Sequence, residues 1–314
     1  MKIKKSAVII IAAVVVVVAA AAVLLRTTGY IPGFGAYDPA APTVKKLAKL
    51  EGYLPENADL VIVADIYRLS AMPLLKSFLE EGLFKGEDTA IKTIRSLLGP
   101  ETKIGMIAMS AVLGDPASPI SFLVIVQGDF RETSFVETVK KELALENVSL
   151  VSRTVGGVSL YSQEGENAPF AFAVPNRNHL VVGTKESMEQ LFLQKPAKTT
   201  TFTFQSPESP FFGYLKSSER IRKVLPPQFA SLAMANFWAD ELKVLHVSVE
   251  CADADQAGSL KMFLLGMKAL YMLQGESNKA LVDALGSIAV GGEENLVRID
   301  VPLEQLPSIF PAKN

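Results

Sequence analysis

Residues 103–127, KIGMIAMSAVLGDPASPISFLVIVQ, decide how the fold is read. Two apolar runs, Lys103–Leu113 and Ile120–Gln127, flank the turn signal Gly114-Asp115-Pro116. Short apolar runs bounded by turn residues read as strands, and a short turn between them makes an antiparallel hairpin. Gly128-Asp129 then leads into Thr133–Leu145, where Phe135, Val136, Val139 and Leu143 share one helical face. Lys140, Lys141 and Glu142 lie on the opposite, watered side. A hairpin passing straight into a helix is the repeating idea of this chain.

Working back from that stretch, Ala58–Ile66 (ADLVIVADI) reads as a buried strand introduced by Pro55. Helical spacing follows in Pro73–Glu81 and in Thr89–Leu98, the latter ended by Gly99-Pro100. Working forward, Val148–Arg153 pairs with Val158–Ser162 through Val155-Gly156-Gly157, and Pro169–Val174 with His179–Gly183. A helix covers Lys185–Leu193. Residues 195–210, KPAKTTTFTFQSPESP, are rich in Thr, Ser and Pro and mark the internal boundary, although Thr201–Phe204 alternates like an edge strand. Beyond it come a helical piece, Phe211–Leu225, and strands at Ala230–Trp238 and Leu242–Cys251. Asp253 caps a long helix through Gln274, a second helix covers Asn278–Leu285, and Ser287–Gly291 with Leu296–Val301 closes the chain as a hairpin.

Residues 103–162 thus read hairpin, helix, hairpin, and residues 230–301 read hairpin, helices, hairpin. The entries to the long helices rhyme, as Val126-Gln127-Gly128-Asp129 and Val249-Glu250-Cys251-Ala252-Asp253. Leu54-Pro55 likewise echoes Leu225-Pro226. The expected class is α+β, with two related modules of antiparallel hairpins and helices packed on one face. The expected division is 1–25 (cytoplasmic tip and anchor), 26–50 (tether), 51–194 (first module), 195–210 (linker) and 211–314 (second module). This order resembles that of a group of uncharacterised exported bacterial proteins with an N-terminal membrane anchor and tandem α+β modules. The resemblance spans residues 50–310 and is carried by ADLVIVADI, FLVIVQGDF and LHVSVECADADQA. It concerns the fold alone and implies no functional residues.

The N-terminus supplies the location. Ser6–Leu25 carries no charge, proline or glycine, follows Lys2, Lys4 and Lys5, and stops at Arg26. Twenty such residues span about 30 Å as a helix, the thickness of a bilayer's hydrocarbon core. The lysines keep the N-terminus cytoplasmic, so the body is expected in the periplasm or cell exterior, on a single pass of the inner membrane. Cleavage near Ala22 is the alternative, since Ala20 and Ala22 make an A-x-A-like site; the length of the run favours retention. Thr27–Pro42 reads as a tether and Val44–Leu50 as a short basic amphipathic turn. Without the three lysines of residues 1–25, the formal charge of −2 becomes −5 for the exported part. That balance speaks against nucleic acid and against anionic lipid as partners. Cys251 is the single cysteine and is expected to end a strand as a small buried hydrophobe.

Chemical signatures are sparse. The two histidines are His179, placed in a solvated turn, and His246, placed on the polar face of its strand with Ser248 and Glu250. Asp253 and Asp255 fail the calcium-loop pattern, because the closing glutamate position is Leu264. Glu80-Glu81, Glu164, Glu166 and Glu293-Glu294 sit at helix ends or turns, and Gly156-Gly157 and Gly291-Gly292 in hairpin turns, so neither a hydrolase dyad nor a phosphate loop is assembled. No catalytic, cofactor-binding or metal residue is expected. The unusual element is Gln256–Gln274, QAGSLKMFLLGMKALYMLQ, apolar around most of its circumference and interrupted only by Lys261 and Lys268. Such a helix is buried on several sides, or else Phe263, Met267, Leu270 and Tyr271 line a groove for a lipid or partner helix. The expected function is a non-catalytic structural or interaction protein of the bacterial envelope, with an envelope protein or lipid as partner; the alternative is a module that holds an apolar ligand in that groove.

Overall fold

A computed structural model of the chain describes residues 38, 40–70, 104–114, 119–130, 132–145, 149–164, 170–193, 204–224, 229, 232–240, 244–274 and 279–305. The expected anchor at 6–25, the tether up to residue 37 and the helices at 73–81 and 89–98 lie outside these residues. The first half holds α1 (Thr43–Leu47), a 3-10 turn (Glu51–Tyr53), β1 (Leu60–Asp65), α2 (Ile66–Ser70), β2 (Ile104–Val112), β3 (Ser121–Gly128) and α3 (Glu132–Leu145). It continues with β4 (Leu150–Val155), β5 (Val158–Gln163), β6 (Phe170–Asn176), β7 (His179–Thr184) and α4 (Lys185–Leu193). The second half holds β8 (Phe211–Lys216), α5 (Glu219–Val224), β9 (Leu232–Ala239), β10 (Val244–Cys251), α6 (Ala254–Gln274), α7 (Lys279–Ser287), β11 (Ala289–Gly291) and β12 (Leu296–Pro302).

All these strands join one 12-stranded sheet, in the order β11-β12-β10-β9-β8-β1-β2-β3-β7-β6-β5-β4. Every pairing in it is antiparallel. The two halves meet where β1 pairs with β8, in the register Leu60↔Leu215, Ile62↔Gly213, Ala64↔Phe211. Here the sequence expectation needs correcting, because it placed Phe211–Leu225 in a helix. FFGYL is aromatic and continuously apolar, which suits a central strand covered on both sides, and among the described residues of that range only Glu219–Val224 is helical.

The arrangement of helices also differs from the expected single layer. On one side of β1, Val61 and Val63 pack with Leu47 and Leu50 of the N-terminal strap and with Met188 of α4. On the other side, Leu60 and Ile62 pack with Ile221 of α5, and Ala64 with Ile66 and Leu69 of α2. β1 is buried along its whole length, and a strand buried on both faces needs cover on both. The half-sheet β9-β10-β12 has cover from α6 on one face, over Leu232, Ala235, Val249 and Val297, and α7 packs on α6.

Outward from the seam the order is β1-β2-β3-β7-β6 on one side and β8-β9-β10-β12-β11 on the other. In each half a helix follows the third strand, α3 after β3 and α6 after β10. The last strand of a later hairpin then returns to pair with that third strand, β7 with β3 and β12 with β10. The hairpin that corresponds to the chain's closing hairpin is therefore β6–β7, and β4–β5 extends the first half beyond it. The stretch 26–50 contributes Thr43, Lys46, Leu47 and Leu50 to the interior, and residues 204–210 contribute Phe204 and Ser209. Among the described residues no helix is long and apolar enough to cross a membrane.

Candidate functional site

α6 starts where the sequence placed it. Asp253 Oδ1 accepts the backbone N–H of Gln256 at 2.8 Å, and its other oxygen accepts the Gln256 side-chain amide at 2.8 Å. That satisfies a first-turn donor and sets a negative charge at the positive helix end. Ala257 and Leu260 are buried against Val249, Cys251 and Val297, with Leu264 half-buried beside them. The two lysines are taken up internally. Lys268 Nζ donates to the carbonyls of Gly286 at 3.0 Å and Ile288 at 2.6 Å, and Lys261 Nζ lies 3.5 Å from that of Gly292. Lys268 thereby satisfies carbonyls at the C-terminal end of α7.

With both lysines turned inward, the outward side of α6 carries no charge from Met262 onward; Asp255, exposed in the first turn, is the acidic residue before that stretch. Met262 (69% exposed), Gly266, Ala269, Leu270 (48%) and Leu273 (68%) follow one another at spacings of one to four residues, and Tyr271 is 49% exposed. The helix is therefore not enclosed on several sides. Of the residues expected to form a groove, Phe263 and Met267 are half-buried, and Phe263 meets Phe229 edge-on at a ring distance of 5.9 Å. Leu270 and Tyr271 stand in the open. Periodicity alone did not separate inner from outer side, because apolar residues occupy both.

The opposite face of the same half-sheet is polar. His246 lies there with Ser248 and Glu250, on the face the alternation of β10 assigned to it. Its Nδ1 is 2.8 Å from Asp300 Oδ1 on β12, and its Nε2 is 3.1 Å from Asp240 Oδ2 in the β9–β10 turn. Trp238 stacks on the ring at 5.1 Å. A carboxylate at each nitrogen favours the doubly protonated ring over the neutral one. Burial alone would lower its pKa, but the hydrogen bonds to Asp240 and Asp300, reinforced by their charges, raise it above 6.5. Both nitrogens already face a carboxylate within hydrogen-bond distance.

Sequence reasoning missed two interior polar sites. Lys46 Nζ is 2.6 Å from Asp65 Oδ2, with both side chains buried. The same carboxylate accepts the Thr43 hydroxyl at 2.8 Å, its other oxygen takes the Arg68 backbone N–H at 3.2 Å, and Arg68 also donates to Thr43 and to the Glu208 carbonyl. The second site holds His179, which is buried in β7 rather than solvated in a turn, beside the fully buried Gln127. The only signal for either was a polar residue, Asp65 or Gln127, closing an otherwise apolar strand.

No model of a known protein family matches the chain. No curated protein matches it either. Among solved structures, the chain is similar to crystal form I of TP0453, at 13% identity and a TM-score of 0.45, over 82% of this chain and 94% of that one.

Proposed function

We propose that this chain is a single-pass inner-membrane protein, held by residues 6–25, whose two related α+β halves form a non-catalytic interaction module in the periplasm or cell exterior. The observation that carries the reading is the outward side of the later turns of α6, where Met262, Leu270, Tyr271 and Leu273 are exposed together with no charge among them. Large apolar side chains clustered in water favour an occupant. The occupant we assign is a protein partner that lays an apolar face along α6. A convex helix side does not enclose a small ligand, which needs a concave pocket to bury most of its surface. An anionic lipid surface is disfavoured by the exported net charge of −5 and by the inward commitment of both α6 lysines. The second reading, an apolar ligand between α6 and its neighbours, has one observation in its favour: Phe263 and Met267 are half-buried, and Phe263 leans on Phe229.

The test is a photo-reactive residue placed at Leu270 in the full chain within its native membrane, with Val151 on β4 as the control position. The reading expects one discrete protein adduct from position 270 and none from 151, reduced several-fold by Leu273→Glu in a chain that still melts normally. Adducts of lipid mass would replace it with the ligand-holding reading. An adduct unaffected by Leu273→Glu, or none at all, would remove α6 as the docking face. The adduct's N-terminal peptide also separates a retained anchor from cleavage near Ala22.

A further inference from the structure

Gln127 and His179 face each other across the β3–β7 ladder on the same side of the sheet. Gln127 is fully buried and His179 is 7% exposed. Directly paired residues of neighbouring antiparallel strands stand about 5 Å apart at Cβ, within reach of one another's polar atoms. Yet among the described residues Gln127 Oε1, Gln127 Nε2 and His179 Nε2 have no hydrogen-bond partner. Buried polar groups in folded proteins are nearly always satisfied, so three orphans at one place mark a site.

The tautomer of His179 is fixed by its other nitrogen. Nδ1 is 2.8 Å from Asn176 Oδ1, which also accepts the Asn178 backbone N–H at 2.8 Å, while Asn176 Nδ2 donates to the Tyr53 hydroxyl at 3.2 Å. Asn176 therefore presents its oxygen to the ring, Nδ1 carries the hydrogen, and Nε2 is a bare acceptor. Burial, with a smaller push from the Lys49 charge, lowers the ring's pKa to about 4, so it is neutral at ordinary pH. Turning the Gln127 amide could bring Nε2–H to the His179 lone pair, but Oε1 would still lack a donor. Two acceptors cannot satisfy each other. What the pair lacks is a small molecule that donates twice.

The ladders loosen at this end of the sheet. The β2–β3 register shifts between Ile104 and Met106, the latter paired with Gln127. The β6–β7 register shifts between Ala173 and Asn176, the latter paired with His179. Such irregularities part neighbouring strands locally. Tyr53 closes the site from above, its ring 5.1 Å from that of His179.

We propose that Gln127 and His179 form an internal water-binding site, in which an ordered water donates one hydrogen to Gln127 Oε1 and the other to His179 Nε2. Buried waters typically bridge groups of this kind and make about three hydrogen bonds.

Crystals of the full chain, at a resolution that orders internal water, provide the first test. Density of water size within about 3 Å of both atoms is the expected result. An amide packed directly on the ring, an empty gap, or density for a larger molecule would each overturn the assignment. Oxygen-17 relaxation dispersion of the full chain in detergent, against matched empty micelles, provides the second. Gln127→Met should reduce the dispersion amplitude by at least one long-lived water, and an unchanged amplitude in a folded variant counts against the site. Should Gln127→Met fail to fold, the wild-type map still decides.

Discussion

Lys46 Nζ and Asp65 Oδ2 lie 2.6 Å apart with side chains 2% and 0% exposed, so a cation and an anion are sealed together where the N-terminal strap meets the end of β1. The pair, its partners Thr43 and Arg68, and the Asp65 N–H bond to the Pro210 carbonyl at 2.7 Å fasten three stretches distant in sequence. Desolvation is the largest influence on the lysine and lowers its pKa below 10.5, against the pull of Asp65. Removing one member leaves the other charge buried and uncompensated. Lys46→Met should therefore cost about 3–5 kcal/mol in urea unfolding, and Lys46→Met combined with Asp65→Leu should recover part of that loss. A cost below about 1 kcal/mol for the single variant would mean that the pair is not sealed.

His246 and His179 should give opposite pH dependences. His246, clamped by Asp240 and Asp300, has its folded pKa raised above 6.5. The protonated form is the one the fold prefers, so its stabilisation is complete below 6.5 and lost as pH rises through the folded value. His246→Gln should flatten that part of the stability curve. Urea midpoints followed from about pH 6 to pH 9 for both chains provide the check, and parallel curves would show that the clamp contributes no linkage.

For His179 the sign reverses. Its folded pKa is lowered to about 4 from 6.5, first by burial and then by the Lys49 charge. The unfolded chain takes up the proton first, so this stabilisation is complete above 6.5 and lost as pH falls toward about 4. The gap corresponds to about 3 kcal/mol over the acid window. With two histidines in the chain, ring resonances can be assigned one by one. One should titrate above 6.5 and the other far below it, and a His179 signal moving near 6.5 would contradict its burial.

Glycine has different reasons at two positions, and the same substitution should have opposite effects there. At Gly213, opposite Ile62 in the β1–β8 seam, an added Cβ would collide with the Val61 carbonyl oxygen and stand 2.6 Å from the Phe237 ring. Gly213→Ala should destabilise by about 1–3 kcal/mol or more through overpacking of the strand pair that joins the halves. At Gly266, on the exposed side of α6, nothing lies within 4 Å. Gly266→Ala should stabilise by about 0.5–1 kcal/mol through helix propensity. Thermal melts of the two variants side by side measure both signs.

Local pattern was enough for the hairpins and for α6. Ile104–Val112 and Ser121–Gly128 lie within one residue, at each end, of the expected runs Lys103–Leu113 and Ile120–Gln127, and Asp253 caps α6 as its position implied. The union of the halves was not legible, because it rests on β1 finding β8 about 150 residues away, and pairing across such a distance leaves no periodic trace. The same non-local contact turned Phe211–Lys216 from an apparent helix into a strand. Of the polar sites, the face of His246 followed from alternation, but its partner Asp300 is 54 residues distant. Nothing in the sequence singles out Lys46 within the short basic amphipathic turn Val44–Leu50, since burial of a lysine depends on a carboxylate that only the folded chain supplies.

α6 offers the sharpest separation of inside from outside, because residues of the same chemistry occupy both. Leu260 is fully buried against Val249, Cys251 and Val297, whereas Leu273, thirteen positions on, is 68% exposed. Leu260→Ala removes packed methyl groups and leaves a cavity, so it should cost about 2–5 kcal/mol. Leu273→Lys removes little packing and should change stability by about 0.5 kcal/mol or less. The second variant also places a charge in an otherwise uncharged stripe, and therefore should weaken partner docking while leaving the fold intact. Urea unfolding of both variants decides the first contrast. If Leu273→Lys unfolds the chain as strongly as Leu260→Ala, the outer side of α6 is covered within the chain itself, and its apolar residues need no partner.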